Sequence, residues 1–237
     1  TAHSTQIEGS TLTMEEASLL IDEGLTPKGK PLEHSLMVKD HHDALQLAIR
    51  YGKEQKTIST RSICELNAAV MKNTGQQYNT ALGNIDASKG ELRKGAVLVQ
   101  KRYFPAYNKV PALIENLCDQ LNNKMKQSLS LREQIDLSYG AHFNLVSIHP
   151  HYDGNGRTAR LLMSQLHTRF GLPLACVYKE DKQEYFEALD MSRESETLTP
   201  FKTFMDDQYR KYLSGEINRF KAQNQREDKG KGLSLLF

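Results

Sequence analysis

Cysteine is scarce and has no pairing pattern. The 237 residues hold three, Cys64, Cys118 and Cys176. They are odd in number, widely spaced and without a CxxC, which excludes a disulfide framework and leaves reduced core thiols in a cytoplasmic protein as the expectation. An excess of charge of one sign is also missing. The 31 basic and 29 acidic residues give a net charge of +2, so nothing global points to nucleic acid or a membrane surface, and any basic patch must be local. No apolar run reaches the roughly 18 residues of a membrane span. The polar opening residues do not read as a signal peptide, so none is expected, and no internal repeat is visible. The chain opens on Thr1 rather than Met, which leaves room for a processed product or for another domain upstream. What remains is an ordinary soluble composition, 38% apolar and 25% charged. The chain is long enough to bury a substantial core.

The apolar spacing is mostly helical. Helices are expected over 36–51, 60–72, 110–126, 131–148, from about 156 to 171, over 182–193 and over 199–213. Pro111 falls in a first turn, where its missing N–H costs little, and Pro150 stops the fourth helix. The exception is 89–104, where Ala96, Val97, Leu98 and Val99 lie beyond Gly90 and Gly95 and read as a short β-hairpin. Residues 221–232 are polar and charged and read as an irregular tail. One all-α domain carrying a small hairpin is the economical fold class.

The chemistry concentrates in HPHYDGNGRTAR, residues 149–160. Gly154 and Gly156 flank Asn155 between two helical segments, and glycine allows positive φ and close backbone approach. Free N–H groups at the start of the following helix make an anion site, strengthened by the helix dipole. Arg157 and Arg160, three apart, project near one face of that first turn. Guanidiniums bind phosphate oxygens bidentately, so the pair suits a polyphosphate. No GK[ST] follows, so this is not a Walker A loop. Asp153 beside bound phosphates calls for a divalent cation and is the candidate Mg²⁺ ligand; it also suits the helix N-cap. His149, at the end of the buried helix, is the candidate general base. His149, His151 and Asp153 also spell HxHxD, a pattern open to a zinc hydrolase. The GNGRxxR continuation and two nearby arginines count against zinc, and His151 is read as a packing residue.

These twelve residues resemble the signature of the Fic (Fido) family, HxFx[D/E]GNGRxxR, with His151 standing where the family usually has Phe. The resemblance implies a Fic-type helical bundle with a β-hairpin flap, spanning 13–220, preceded by an inhibitory helix segment over 1–12 and followed by a polar tail over 221–237. It implies transfer of AMP from ATP to a Ser, Thr or Tyr hydroxyl of a target protein, with release of pyrophosphate. His149 would be the base for the target hydroxyl, and Asp153 would hold Mg²⁺. Gly154, Asn155 and Gly156 would form the anion hole. Arg157 and Arg160 would bind phosphates, Arg160 nearest the γ-phosphate. The hairpin around 90–99 resembles the flap that aligns a target segment by strand pairing. The stretch DKQEYFEALDMSRES resembles the downstream helix whose aromatics flank adenine, placing Tyr185 and Phe186 there, with Arg193 where many members have Asn. Similar proteins often form dimers, so the resemblance carries a homodimer as an expectation.

Residues 4–9, Ser4-Thr5-Gln6-Ile7-Glu8-Gly9, resemble the family's inhibitory motif [S/T]xxxE[G/N]. The resemblance pairs Glu8 with Arg160, where a carboxylate would remove a γ-phosphate partner and repel the phosphate itself. A plain helix end, with Glu8 solvated and Gly9 as C′, fits the same residues. Glu8 could also orient a water for removal of AMP. Transfer of a different phosphate-linked group stays open, as does a nucleotide-binding module without activity. The basic residues Lys89, Arg93, Lys94, Lys101 and Arg102 read as a solvated hairpin edge. Adjacent His41 and His42 face different ways on a helix and do not chelate. Tyr103 and Tyr107 are candidate self-modification sites, though packing tyrosines are commoner.

Overall fold

A computed structural model describes residues 1–99 and 102–233. Nine α-helices and two small antiparallel hairpins follow the chain among these residues: α1 (Ala2–Ile7), α2 (Met14–Asp22), α3 (Leu32–Lys53), α4 (Thr60–Val70), β1 (Gln77–Thr80), β2 (Gly83–Asp86), β3 (Leu98–Val99), β4 (Arg102–Tyr103), α5 (Val110–Met125), α6 (Leu131–Ile148), α7 (Asn155–Arg169), α8 (Lys182–Glu194) and α9 (Thr199–Leu233). The expected all-α bundle with a small hairpin flap is what the chain adopts. The helix starts follow capping chemistry. Thr13 with Glu16, Ser59 with Ser62 and Ser130 with Glu133 each exchange side-chain and backbone bonds in a capping box, which satisfies donors that the first turn leaves free.

Helix α7 is the axis of the molecule. It packs along both α3 and α6, and from Arg157 to His167 every residue is buried. Ala159, Leu162, Met163 and Leu166 join the largest apolar cluster with residues of α5, α6, α8 and α9. Leu161 faces the opposite way, against Ala44, Ala48 and Tyr51 of α3 and Leu66 and Val70 of α4. Each buried leucine, valine or methionine among them contributes about 1.5–3 kcal/mol. An element clamped on all sides holds its N-terminus, and the loop leading to it, in a fixed place.

Four features differ from what the sequence leads one to expect. Helix α2 is an addition, although its Thr13-x-x-Glu16 box is a legible start signal. The β1–β2 hairpin is another, since QYNT and GNID lack a run of β-branched residues and the two-residue loop Ala81-Leu82 lacks the usual Asn-Gly. Residues 221–232 continue α9 to Leu233 rather than forming an irregular tail; Lys, Gln, Arg and Glu are good helix formers and no proline interrupts them. The flap strands are shorter than Ala96–Val99 suggested, pairing Leu98 with Tyr103 and Val99 with Arg102. Lys101, named with the basic edge, lies outside the described residues. The three cysteines are unpaired, with only Cys118 fully buried. No helix among the described residues is long and apolar enough to cross a membrane.

Candidate active site

Helix α6 ends at His149, which adopts the left-handed conformation (φ 53°, ψ 61°) as its C-cap and donates its N–H to the Leu145 carbonyl. This turn is unfavourable for a side chain bearing a Cβ, and it swings the loop back toward α7. The His149 ring stacks on Phe104, just beyond the flap, with centroids 3.9 Å apart and planes 23° from parallel. Burial pushes the imidazole down to about 4; the Val146 carbonyl opposes this, while Arg93, His151 and Arg193 add to it. His149 is therefore neutral at pH 7, the form a general base requires.

The loop from 151 to 154 is held by its own side chains. Asn155 Oδ1 accepts from the His151 N–H at 3.0 Å, and Asn155 Nδ2 donates to the His151 carbonyl at 2.9 Å. The amide of Asn155 thus closes the loop internally instead of reaching an anion, and only its backbone N–H remains for that purpose. His151 is buried, with Nδ1 3.1 Å from the Glu91 carbonyl. It turns inward, away from any shared ligand with His149 and Asp153. Among the described residues no three His, Cys, Asp or Glu side chains converge as a metal site. Tyr152 stacks on Tyr78 of β1 at 4.6 Å, which brings the β1–β2 hairpin against the motif.

Gly154 caps α7 at φ 77°. A methyl group there would lie 2.7 Å from Asn67 Nδ2 and 2.9 Å from Met71 Sδ, so both the angle and the space require glycine. Asn67 on α4 donates to the Asp153 carbonyl and to Thr158 Oγ1. The first intrahelical bond of α7 is Thr158 N–H to Gly154 C=O at 2.8 Å, which leaves the N–H groups of Asn155, Gly156 and Arg157 ahead of it for a ligand. Asp153 Oδ1 accepts from the Gly154 N–H and from Arg157 Nη2. Its side chain is 53% exposed, so a carboxylate edge faces solvent beside this nest.

Arg157 and Arg160 are both buried. Arg157 reaches Met71 Sδ and Asp153, and its Nε and Nη1 have no protein partner among the described residues. Arg160 donates through Nε to Ser4 Oγ at 2.8 Å, and through Nη2 to the Ser4 carbonyl at 3.1 Å and to Glu8 Oε1 at 2.6 Å. Its Nη1 is likewise unpartnered among the described residues. Buried guanidinium donors without acceptors are costly, and three of them on the first two turns of α7 make a donor set of the kind that an anion would satisfy. A methyl group on Gly156 would lie 2.6 Å from Glu8 Oε1, so the Glu8 carboxylate rests on the nest itself. Burial alone would raise its pKa; the charge and hydrogen bond of Arg160, helped by Arg157 and Lys182, hold it below the ordinary carboxylate value.

Helix α1 is built to deliver this carboxylate. Ile7 enters the main core, and Ala2 packs with Leu12, Ala17 and Val38. Glu8 follows as the helix C-cap, and Gly9 turns the chain away at φ 107° without touching the site. Ser4 Oγ also lies 2.8 Å from His41 Nε2 of α3. The fully solvated reading of Glu8 is thus replaced: its side chain is 29% exposed and in contact.

Two expectations require correction. Tyr185 has no face for a base: it is 1% exposed, with its hydroxyl 2.8 Å from His142 Nε2 and its ring among Phe201 and Phe204. It backs Arg160, whose guanidinium lies 6.0 Å from the ring centroid. Phe186, its neighbour, points outward and is 38% exposed. Tyr103 is no packing residue either, being 81% exposed at the flap. Between flap and α8 lies a cavity of about 520 Å³, lined in part by Arg102, Phe104, Ser147, Asp190 and Arg193. Arg193 donates to Ser147 and Asp190, and Asp190 also pairs with Arg102. Asn67, Phe104, Arg93 and His41 join the site without a place in the sequence motif. Only Asn67 carries a sequence signal, as an amide on the apolar face of α4.

Comparison with known proteins agrees with this geometry. The sequence model of the Fic/DOC family matches residues 57–167. The chain is 29% identical over 208 residues to the protein adenylyltransferase Fic of Drosophila willistoni, covering 86% of this chain and 38% of that protein. The homologue from Drosophila mojavensis is 28% identical over the same length. The chain therefore spans about two-fifths of the length of these curated relatives. Among solved structures, Fic-1 (residues 134–508) from C. elegans superposes with a TM-score of 0.75 at 25% identity, covering 93% of this chain and 62% of that one. A Fic domain-containing signalling protein of Bacteroides thetaiotaomicron superposes with a TM-score of 0.77 at 23% identity, covering 90% and 82%. The left-handed His149, the glycine at the start of α7 and the paired arginines thus sit in a fold shared with these structures, within the segment that matches the Fic/DOC family model.

Proposed function

We propose that the chain is a protein adenylyltransferase that moves AMP from ATP to a Ser, Thr or Tyr hydroxyl of a target protein, and that Glu8 restrains it by occupying Arg160. The observation that carries the reading is the anion nest of α7, with three buried guanidinium donors unpartnered among the described residues and a carboxylate of the same chain seated where phosphate would lie. His149 Nε2 takes the proton of the target hydroxyl as its oxygen bonds to the α-phosphorus. The bond from the α-phosphorus to the bridging oxygen breaks, and pyrophosphate leaves with that electron pair. The N–H groups at the start of α7 and the two arginines stabilise the charge that develops on the phosphates.

Asp153 fits a Mg²⁺ site as an exposed carboxylate beside the nest. Mg²⁺ characteristically takes one or two carboxylates together with phosphate oxygens and water; held by Asp153, it would supply neutralisation of phosphate charge. The nucleoside would occupy the cavity between flap and α8, with Phe186 as the exposed aromatic nearby. A bound γ-phosphate needs Arg160, so Glu8 and ATP compete for one guanidinium.

Labelling with α-³²P against γ-³²P ATP tests the reaction in wild type, Glu8→Gly and His149→Ala, with self-modification and a cell lysate as acceptors. AMP transfer predicts label from the α position only, stronger in Glu8→Gly and lost in His149→Ala. Label from the γ position alone refutes AMP transfer, and ATP binding with no transfer even in Glu8→Gly identifies a binding module.

A further inference from the structure

The basic stretch before the flap reads from sequence as a solvated edge, yet Arg93 is 2% exposed. No carboxylate pairs with it among the described residues. Its guanidinium instead donates to three backbone carbonyls: Nε to His149 at 2.7 Å, Nη1 to Gly95 at 2.9 Å, and Nη2 to Pro105. Its own N–H donates to the Pro150 carbonyl at 2.9 Å. Gly95 precedes the flap, Pro105 follows it, and His149 with Pro150 begins the signature loop. One buried fork therefore joins both ends of the flap to the residue that would take the proton. Burial lowers the pKa of this guanidinium, a cost that neutral carbonyls offset only when several are well aimed.

We infer that Arg93 is a positioning residue for His149, a role that rests on the proposed transferase reading. The clamp acts by two routes. Through the His149 and Pro150 carbonyls it holds the left-handed turn at φ 53°, a conformation that persists only where its surroundings fix it. Through Pro105 it fixes the preceding residue, Phe104, whose ring covers the imidazole at 3.9 Å. Rotation of the imidazole is limited from its backbone and from its face by the same side chain. Lysine cannot substitute, because a single ammonium on a flexible stem does not span three carbonyls in one plane.

The test compares Arg93→Lys with Arg93 intact, both in the full chain carrying Glu8→Gly. The readouts are kcat for AMP transfer, the Kd of a non-hydrolysable ATP analogue, and the titration of the His149 ring followed by NMR. Besides Arg93, the ring is faced by His151 of its own loop and Arg193 of α8. Arg93→Lys is expected to lower kcat roughly 30-fold or more, as small misplacements of reacting groups do. Analogue affinity should stay within about 3-fold, well under the tenfold that 1.4 kcal/mol represents. The His149 titration should move upward from about 4 toward the value of a free imidazole. An unchanged kcat, or losses of kcat and analogue affinity in equal measure, overturns the inference. Phe104→Leu in the same background removes only the ring contact and decides the matter if Arg93→Lys fails to fold. It should also raise the His149 titration and lower kcat, and an unmoved titration overturns the inference. Absence of AMP transfer with Arg93 intact refutes the transferase reading instead, and the NMR titration then still reports on Arg93.

Discussion

Replacing Glu8 by Gly removes one contact from Arg160 and leaves α1 docked. Ser4 still holds the guanidinium through its hydroxyl and carbonyl, Ile7 stays in the core, and His3 keeps its edge contact with Tyr178 at 4.7 Å. The lost interaction is a charged hydrogen bond of 2.6 Å between side chains 6% and 29% exposed. Such bonds contribute about 1.5–3 kcal/mol. If that energy opposes ATP, apparent ATP affinity should rise roughly ten- to hundredfold, since each 1.4 kcal/mol is a factor of ten. Initial rates of α-³²P incorporation across ATP concentration measure the rise as a fall in KM. Glu8→Gln should fall between wild type and Glu8→Gly, because the amide keeps an acceptor for Arg160 but no longer repels phosphate. Acid should not mimic the mutation. The Glu8 carboxyl is held below its ordinary 4.5, so the contact is complete above that pH and is lost only as pH falls through the lowered value. His149 begins to protonate near the same range. Equal KM values and rates for wild type and Glu8→Gly, with α1 still protected from hydrogen exchange, would refute the competition.

Three further outcomes follow from the same geometry. In Glu8→Gly the acid limb of kcat/KM should lie near pH 4, not near the roughly 6.5 of free imidazole, and a limb at that higher value would mean that His149 is solvated or is not the base. Burial also holds His151 at about 4; the unfolded chain then binds the extra proton between about pH 6.5 and 4, so stability falls as pH drops through that window, by on the order of 3 kcal/mol. His151→Phe should flatten this slope in denaturant titrations, and an unchanged slope would assign it elsewhere. Gly154→Ala should destabilise the fold by about 1–3 kcal/mol, from positive φ and the contacts with Asn67 and Met71, and should weaken binding of an ATP analogue; a variant with wild-type Tm and affinity would show that the nest tolerates a Cβ.

Much of the site was legible because its residues are consecutive. Loop, glycines and arginines fall within one short loop and the first two turns of helix, where spacing alone dictates which groups meet. Glu8 was reachable only through the resemblance, since 152 residues separate it from Arg160 and no periodicity links them. The helices were legible from apolar spacing. The extent of α9 was not, because polar residues favour helix and tail alike. Tyr185 and Phe186 show the same limit: adjacent aromatics on a helix point different ways, and only packing decides which is core.

The sequence by itself determined the glycine-flanked helix start, the candidate base at the end of a buried helix and the residue types suited to phosphate, because these are local consequences of glycine, helix termini and guanidinium geometry. Tertiary structure decided the partners. It seated Glu8 on Gly156 and turned His151 and Tyr185 into the core. It also drew Arg93 out of an apparently solvated edge to hold three carbonyls. Those outcomes depend on which distant backbone groups lack a hydrogen bond once the helices have packed, and a linear pattern does not record that.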